Sequence, residues 1–202
     1  MCKYGHMRKG VHPDDLRRRD LLDAALTVFT RYGYQKTSMN EVARAAQLSR
    51  QGLYLHFATK EELFQAAVRN TLQNSSGAAV AALTNASLPL DQQLVRAFDE
   101  WFGRYIGIMG GDASDLIEAT TRLSGTMLAQ YEKVFAEAVT KAIRSSRLLA
   151  IYKSSGVTAR QLANTLLATA RGLKHSCKCR DQFVKGFTTA VKVLCSPLQE
   201  SR

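Results

Sequence analysis

Long apolar runs are missing from this sequence. No stretch approaches the ~18 apolar residues that a membrane-spanning helix needs. The N-terminus, MCKYGHMRKG, lacks the apolar core of a secretory signal, so the chain is expected in the cytoplasm. Acidic residues are scarce, with 17 Asp and Glu against 28 Lys and Arg, a formal net charge of +11 and a pI near 9.8. That balance disfavours polycationic partners and favours a polyanion. The excess is denser at the front: residues 1–57 hold 10 basic and 5 acidic residues, against 18 and 12 in residues 58–202. Enzyme signatures are also absent. There is no phosphate-cradling glycine loop, no nucleophile elbow and no paired-histidine metal motif, so no catalytic residue and no cofactor is expected. Neither an alternating strand pattern nor an internal repeat occurs, which leaves an all-helical chain.

What is present concentrates between Thr37 and Leu63, TSMNEVARAAQLSRQGLYLHFATKEEL. Ser38 with Glu41 three residues later is a capping box and starts a helix. Ala45 and Ala46 permit close helix contact. Gln47-Leu48-Ser49 is a turn, and Ser49 is placed to cap the next helix. Leu53 and Phe57, four apart, anchor that helix inward. Thr59 with Glu62 is a second capping box and starts a helix at Lys60. The outward face of the short middle helix is left to Arg50, Gln51, Gly52 and Tyr54. Two short helices across a tight turn form the layout of a helix-turn-helix reader of double-stranded DNA. Arg50 suits guanine edges and Gln51 adenine, while Gly52 permits close approach.

Tyr54-Leu55-His56-Phe57 and Lys60-Glu61-Glu62-Leu63, preceded by Gly33-Tyr34 and Thr37-Ser38, resemble the TetR family of bacterial transcriptional regulators over about residues 16–65. Beyond those residues the likeness is in length and helical character. The family often has glycine in the turn where this chain has Gln47, and a non-glycine residue in a left-handed turn costs about 1 kcal/mol. The resemblance implies an N-terminal three-helix DNA-binding domain joined to a larger helical ligand-binding and dimerisation domain. It implies that Thr37, Ser38, Tyr54, His56 and Lys60 hold phosphates while Arg50 and Gln51, with Gly52 and more weakly Asn40, face the bases. A repressor released by an unidentified small molecule is the function it suggests.

On this reading residues 1–13 are expected to be a disordered basic tail with Lys3, Arg8 and Lys9, residues 14–63 the reader and 64–197 the body, with nine helices in all. Helix 1 is expected from about Leu16 to Tyr32 and the connecting helix from Lys60 to about Leu83. Leu90 to Ile108 follows, carrying Phe98, Trp101, Phe102 and Tyr105. Gly110-Gly111 breaks it, Asp112 caps a short helix to about Leu123, and Thr126 to about Leu149 forms another. Thr158 caps the next, and the last spans about Asp181 to Leu194. Leu162, Leu166, Ala170 and Leu173, then Phe183, Phe187, Ala190, Val191 and Leu194, form apolar stripes on the final two helices. Such stripes serve either as ordinary core or as a two-fold four-helix dimer interface, which the resemblance implies. Trp101, Phe102, Tyr105, Met109, Met127, Tyr131 and Phe135 are candidates for an effector cavity, with solid core as the plainer alternative. Arg104, Arg122, Asp115 and Glu118 are candidates to orient a polar group there.

Cys177 and Cys179 beside His175, with Cys195 further on, raise a metal or redox role. Residues two apart point to opposite sides of a helix, and paired zinc cysteines use two or more intervening residues, so no metal ligand set is assigned. Reduced thiols at a helix junction are the default in a cytoplasmic chain. A redox- or metal-responsive regulator is the alternative function, and charge-driven, sequence-indifferent DNA compaction a third.

Overall fold

The computed structural model describes residues 13–107 and 113–196, with side chains at 13–15 and 113 left aside. The N-terminal tail with Lys3, Arg8 and Lys9, the Gly110-Gly111 break, Asp112 and the cavity candidate Met109 lie outside the described residues. Among the described residues there are nine α-helices and no strand. They are α1 (Pro13–Tyr32), α2 (Met39–Ala45), α3 (Arg50–His56), α4 (Lys60–Leu83), α5 (Leu90–Trp101), α6 (Ala113–Arg144), α7 (Leu148–Ile151), α8 (Ala159–Ser176) and α9 (Arg180–Cys195).

Local capping explains most of the boundaries. At α2 the Glu41 carboxylate accepts from the Ser38 amide at 2.7 Å, and the Ser38 hydroxyl oxygen accepts from the Glu41 amide at 3.3 Å. That reciprocal pair is the capping box read from the sequence. Thr158 and Gln161 repeat it at α8. At α4 the expectation was half met. The Thr59 hydroxyl oxygen accepts from the Glu62 amide, but Glu62 reaches past the cap to the Ala58 amide at 2.9 Å. The box is therefore open at Thr59.

Several expected boundaries differ: α1 starts at Pro13, ahead of Leu16, and the helix expected to reach about Leu149 ends at Arg144, with Leu148–Ile151 a separate short helix. Helix α5 ends at Trp101, short of Ile108, and passes into a 3₁₀ turn over Gly103–Tyr105. Gly103 is wedged against the Asp99 carboxylate and the Phe183 ring, so an added methyl group would have to displace that carboxylate and press on the ring. Downstream, the two helices expected to either side of residues 124 and 125 are one helix of 32 residues. Glycine in a helix interior costs about 1 kcal/mol. Packing outweighs that cost, because α6 spans two cores: Leu116 and Ala119 lie in the first, and Phe135, Val139 and Ile143 in the second.

The first core belongs to the reader. Phe29 of α1, Tyr34 of the following loop and Phe64 of α4 form an aromatic triad with centroids 4.9 to 5.9 Å apart. Leu53 of α3 and Phe57 just after it are buried against this group. Phe64, Ala67 and Val68 are also part of it, so the reader's packing continues past residue 63 into α4 and α6. The second core fills the body. Phe98 stacks on Phe187 at 4.3 Å, and Trp101 stacks on Phe135 at 5.0 Å.

The stripes on the last two helices turn inward within the subunit. Leu162, Leu166 and Ala170 of α8, and Phe183, Phe187, Val191 and Leu194 of α9, are buried in the body core, with Leu173 and Ala190 half-buried. They are core of the subunit itself, the ordinary-core use of such stripes, so any pairing through α8 and α9 falls to their other faces. The outward face of α8 exposes the small or polar Thr165, Ala168 and Gly172, and that of α9 exposes Thr189 and the apolar Val193. No helix among the described residues is long and apolar enough to cross a membrane.

Candidate nucleic-acid interface and effector cavity

The turn between α2 and α3 closes by backbone bonds. The Leu48 amide donates to the Ala43 carbonyl at 2.8 Å and the Gln47 amide to the Arg44 carbonyl at 3.2 Å. Such a closure places one residue in the left-handed region, and Gln47 occupies it at φ 56°. The Ser49 hydroxyl oxygen then accepts from the Gly52 amide at 2.9 Å and caps α3. Within α3 only Leu53 is buried. At about 100° per residue, Gln51 and Leu55 lie roughly 160° and 200° around the helix from Leu53, and form its crest. Arg50 and Tyr54 occupy one flank, where the Arg50 guanidinium lies 5.7 Å from the Tyr54 ring centre. His56 and Gly52 occupy the other. Arg50, Gln51, Tyr54, Leu55 and His56 are all exposed, as is Asn40 on α2, while Gly52 is half-buried.

The phosphate candidates divide. Tyr54 and His56 are open to solvent, with His56 beside Arg17 and Arg18 at the rim of a groove between α1 and the α2–α3 turn. Ser38 is exposed, and its hydroxyl donates to the Glu41 carboxylate at 2.9 Å. These two bonds from Ser38, the backbone one foremost, hold the Glu41 carboxyl below the usual carboxylate range. Thr37 is buried, and its hydroxyl donates to the Gly33 carbonyl at 2.6 Å. The Lys60 ammonium is turned inward as well. It donates to the carbonyls of Tyr34, Gln35 and Thr37 at 3.1, 3.2 and 3.1 Å and lies 4.6 Å from the Tyr34 ring centre. Thr37 and Lys60 therefore brace the loop between α1 and α2. In this arrangement Thr37 is buried and Lys60 half-buried, and the donors of both are engaged by loop carbonyls.

The body holds a cavity of about 280 Å³ at its seam with the reader. Of the seven candidates, Trp101, Phe102 and Tyr105 line it. Phe135 is fully buried core, Tyr131 packs half-buried on that core, and Met127 sits in a separate shallow hollow with Gln65 and Arg69. Leu26 and Thr30 of α1, Phe64 and Val68 of α4, and Leu116 of α6 complete the wall, so reader residues form part of it. Sequence reasoning missed these, because a contact between helix 1 and the body leaves no local pattern. The hydroxyls of Ser75 and Tyr105 pair at 2.5 Å on the lining. None of the four suggested polar groups lines it. Arg104 pairs with Glu100 at 3.1 Å, Arg122 lies 6.0 Å from the Tyr34 ring centre, Asp115 accepts from the Gln35 amide at 2.9 Å, and Glu118 is exposed. Glu132 and Lys174 are the charged groups at its edge.

The thiols are dispersed in character. Cys177 follows α8 half-buried, Cys179 precedes α9 exposed and without a capping bond, and Cys195 is buried, which pushes its thiol up to about 11. Among the described residues no three His, Cys, Asp or Glu side chains are grouped so as to hold a metal ion.

Residues 21–67 match the family model described as bacterial regulatory proteins, tetR family. FasR of Mycolicibacterium smegmatis, a transcriptional activator, is 34% identical over 140 residues, covering 69% of this chain and 62% of FasR. A probable acrEF/envCD operon repressor of Escherichia coli is 38% identical over 47 residues, 23% of this chain and 21% of that protein. The TetR regulator SCO0520 of Streptomyces coelicolor superposes with a TM-score of 0.62 at 18% identity, covering 88% of this chain and 97% of that one. The chain belongs to the tetR family of bacterial regulatory proteins. It spans between 17% and 62% of the length of the first curated relatives it matches.

Proposed function

We propose that the protein is a sequence-specific DNA-binding transcriptional regulator, a repressor acting as a homodimer and released from its operator by a small molecule. One observation carries the DNA reading. A capped helix, α3, buries a single residue and leaves Arg50, Gln51 and Tyr54 exposed on a basic domain. A helix of that shape fits a major groove about 12 Å wide. Arg50 and Gln51 offer donors to base edges, with Asn40 beside them, and Ser38, Tyr54, His56 and Arg17 flank them for backbone contact.

One such helix contacts few base pairs, so two-fold pairing of subunits is the natural complement. The exposed small residues Thr165, Ala168 and Gly172 of α8 permit close approach of a second copy. Release is supported by the place of the cavity. A molecule lodged against Trp101 and Tyr105 also touches Leu26 and Phe64 of the reader, and so acts on the tilt of α1 and α4. Its effect on DNA affinity equals its differential affinity for the two arrangements. Repression is the sign proposed, because a dimer seated on an operator obstructs access to it; of the two curated relatives named above, FasR is an activator and the other a probable repressor.

The test is selection of duplexes from a random pool by the purified protein, followed by competition with nonspecific DNA. A specific reader enriches a two-fold symmetric sequence and holds it through a large excess of competitor. Enrichment of nothing, with binding that competitor removes, would favour charge-driven compaction instead.

A further inference from the structure

Leu55 is 82% exposed, the most exposed of the large apolar side chains among the described residues. Tyr54, its neighbour at 42%, lies on the flank with Arg50, and Leu48 at 36% lines the groove against α1. A single exposed leucine is ordinary, so its place on the helix is what decides. The position of Leu55 on α3 is informative. With Gln51 it stands opposite the buried Leu53, so it is directed away from the domain's own core. When a helix enters a groove, the face opposite its core meets the groove floor, and the flanks meet the backbones. Arg50 and Tyr54 are on a flank and already contact one another.

The geometry points to Leu55 as a specificity-determining residue that reads the 5-methyl group of thymine in the major groove, next to a base contacted by Gln51. This inference rests on the DNA reading of α3 proposed above. Thymine is the base that presents an apolar group on its major-groove edge. A leucine has no hydrogen-bonding capacity, and at a phosphate it gains nothing. At the groove floor it rejects polar edges, which it leaves without a partner, and accepts a methyl, with which it buries area from water. Gln51 one turn earlier suits adenine. The pair thus favours an A·T-containing step in the bound sequence.

Deoxyuridine in place of thymine deletes that methyl and leaves every hydrogen-bonding group unchanged, which provides a direct experiment. The full-length protein is used to select its preferred duplex, and each thymine is then replaced in turn. For wild type, one or two positions should weaken binding about three- to fivefold, the scale of one buried methyl group. In Leu55→Ala the same replacements should have almost no effect, while the methylated duplex itself binds less well than to wild type. Gln51→Ala should retain the methyl effect and lose preference for adenine instead. Leu55 is on the surface, so Leu55→Ala should melt with wild type, and a matching melting curve confirms that its fold is intact.

A flat deoxyuridine scan in wild type overturns the inference. So does a methyl effect of equal size in Leu55→Ala. Either result leaves the DNA reading standing, because a duplex was selected. Failure to select any duplex overturns that reading and this inference together.

Discussion

Lys60 lies where the reader joins the connecting helix, and its replacement separates two roles cleanly. The ammonium donates to three loop carbonyls, at 3.1, 3.2 and 3.1 Å, and faces the Tyr34 ring at 4.6 Å. Lys60→Met keeps most of the alkyl stem and removes all of these contacts. Hydrogen bonds from a charged donor contribute about 1.5–3 kcal/mol in favourable settings. Here the group is half-buried, and water can replace part of what is lost. The expected destabilisation is about 2 kcal/mol for the whole set. For a chain of this size that is a fall of roughly 4–8 °C in Tm. The loop between α1 and α2 also carries the Gln35 amide bonded to Asp115 of α6. Loosening it should therefore raise amide exchange at residues 34–38 and at the start of α6 together. A phosphate contact would behave differently. Its loss would leave Tm unchanged and reduce the slope of log affinity against log salt by about 0.9. Melting curves and a salt titration on one variant give both readouts. An unchanged Tm with a slope reduced by about one would refute the bracing role.

Three further outcomes are expected. Gln47→Gly should raise stability by about 0.5–1 kcal/mol in urea unfolding, because glycine adopts the observed φ of 56° without strain, whereas Gln47→Val should lower it. Gly103→Ala should destabilise the body by about 1–3 kcal/mol, since a methyl group there displaces the Asp99 carboxylate and presses on Phe183. That displacement also disturbs the paired bonds of 2.8 and 2.7 Å from Arg180 to Asp99, so Arg180→Ala should cost less in the Gly103→Ala background than in wild type. Maleimide labelling of the native protein near pH 8, mapped by mass spectrometry, should mark Cys179 and leave Cys195 unmarked until the chain unfolds. Burial keeps the Cys195 thiol protonated up to about 11 and shields it from reagent. Native labelling of Cys195 at the rate of Cys179 would contradict its burial.

Capping and periodicity are local, and they were legible in residues alone. Ser38, Ser49, Thr59 and Thr158 cap the helices they were expected to cap, because a side-chain oxygen three residues before an orphan amide acts whatever surrounds it. The extent of α4 and the inward faces of Leu53 and Phe57 follow from the same local rules. Other features depended on packing at a distance. Ser124-Gly125 carries a stop signal, yet α6 runs through it because both halves of the helix are buried. Phe135 has the character of a cavity residue and is core, since Trp101 stacks on it. Leu26 and Thr30 have the character of helix 1 alone and line the cavity.

The amino-acid sequence by itself determined the helical class, the reader motif and the family, because capping, turn chemistry and the order of Tyr54 to Leu63 act over a few residues. Only the tertiary structure decided which donors are free to meet DNA. A lysine in a motif can point out to a phosphate or in to a carbonyl. Lys60 points in because the loop from Tyr34 to Thr37 brings three carbonyls within its reach, and nothing at position 60 alone encodes that. The same holds for the C-terminal stripes. Their spacing marks a buried face, but only the packing of α8 and α9 on α5 and α6 shows that the subunit itself buries it.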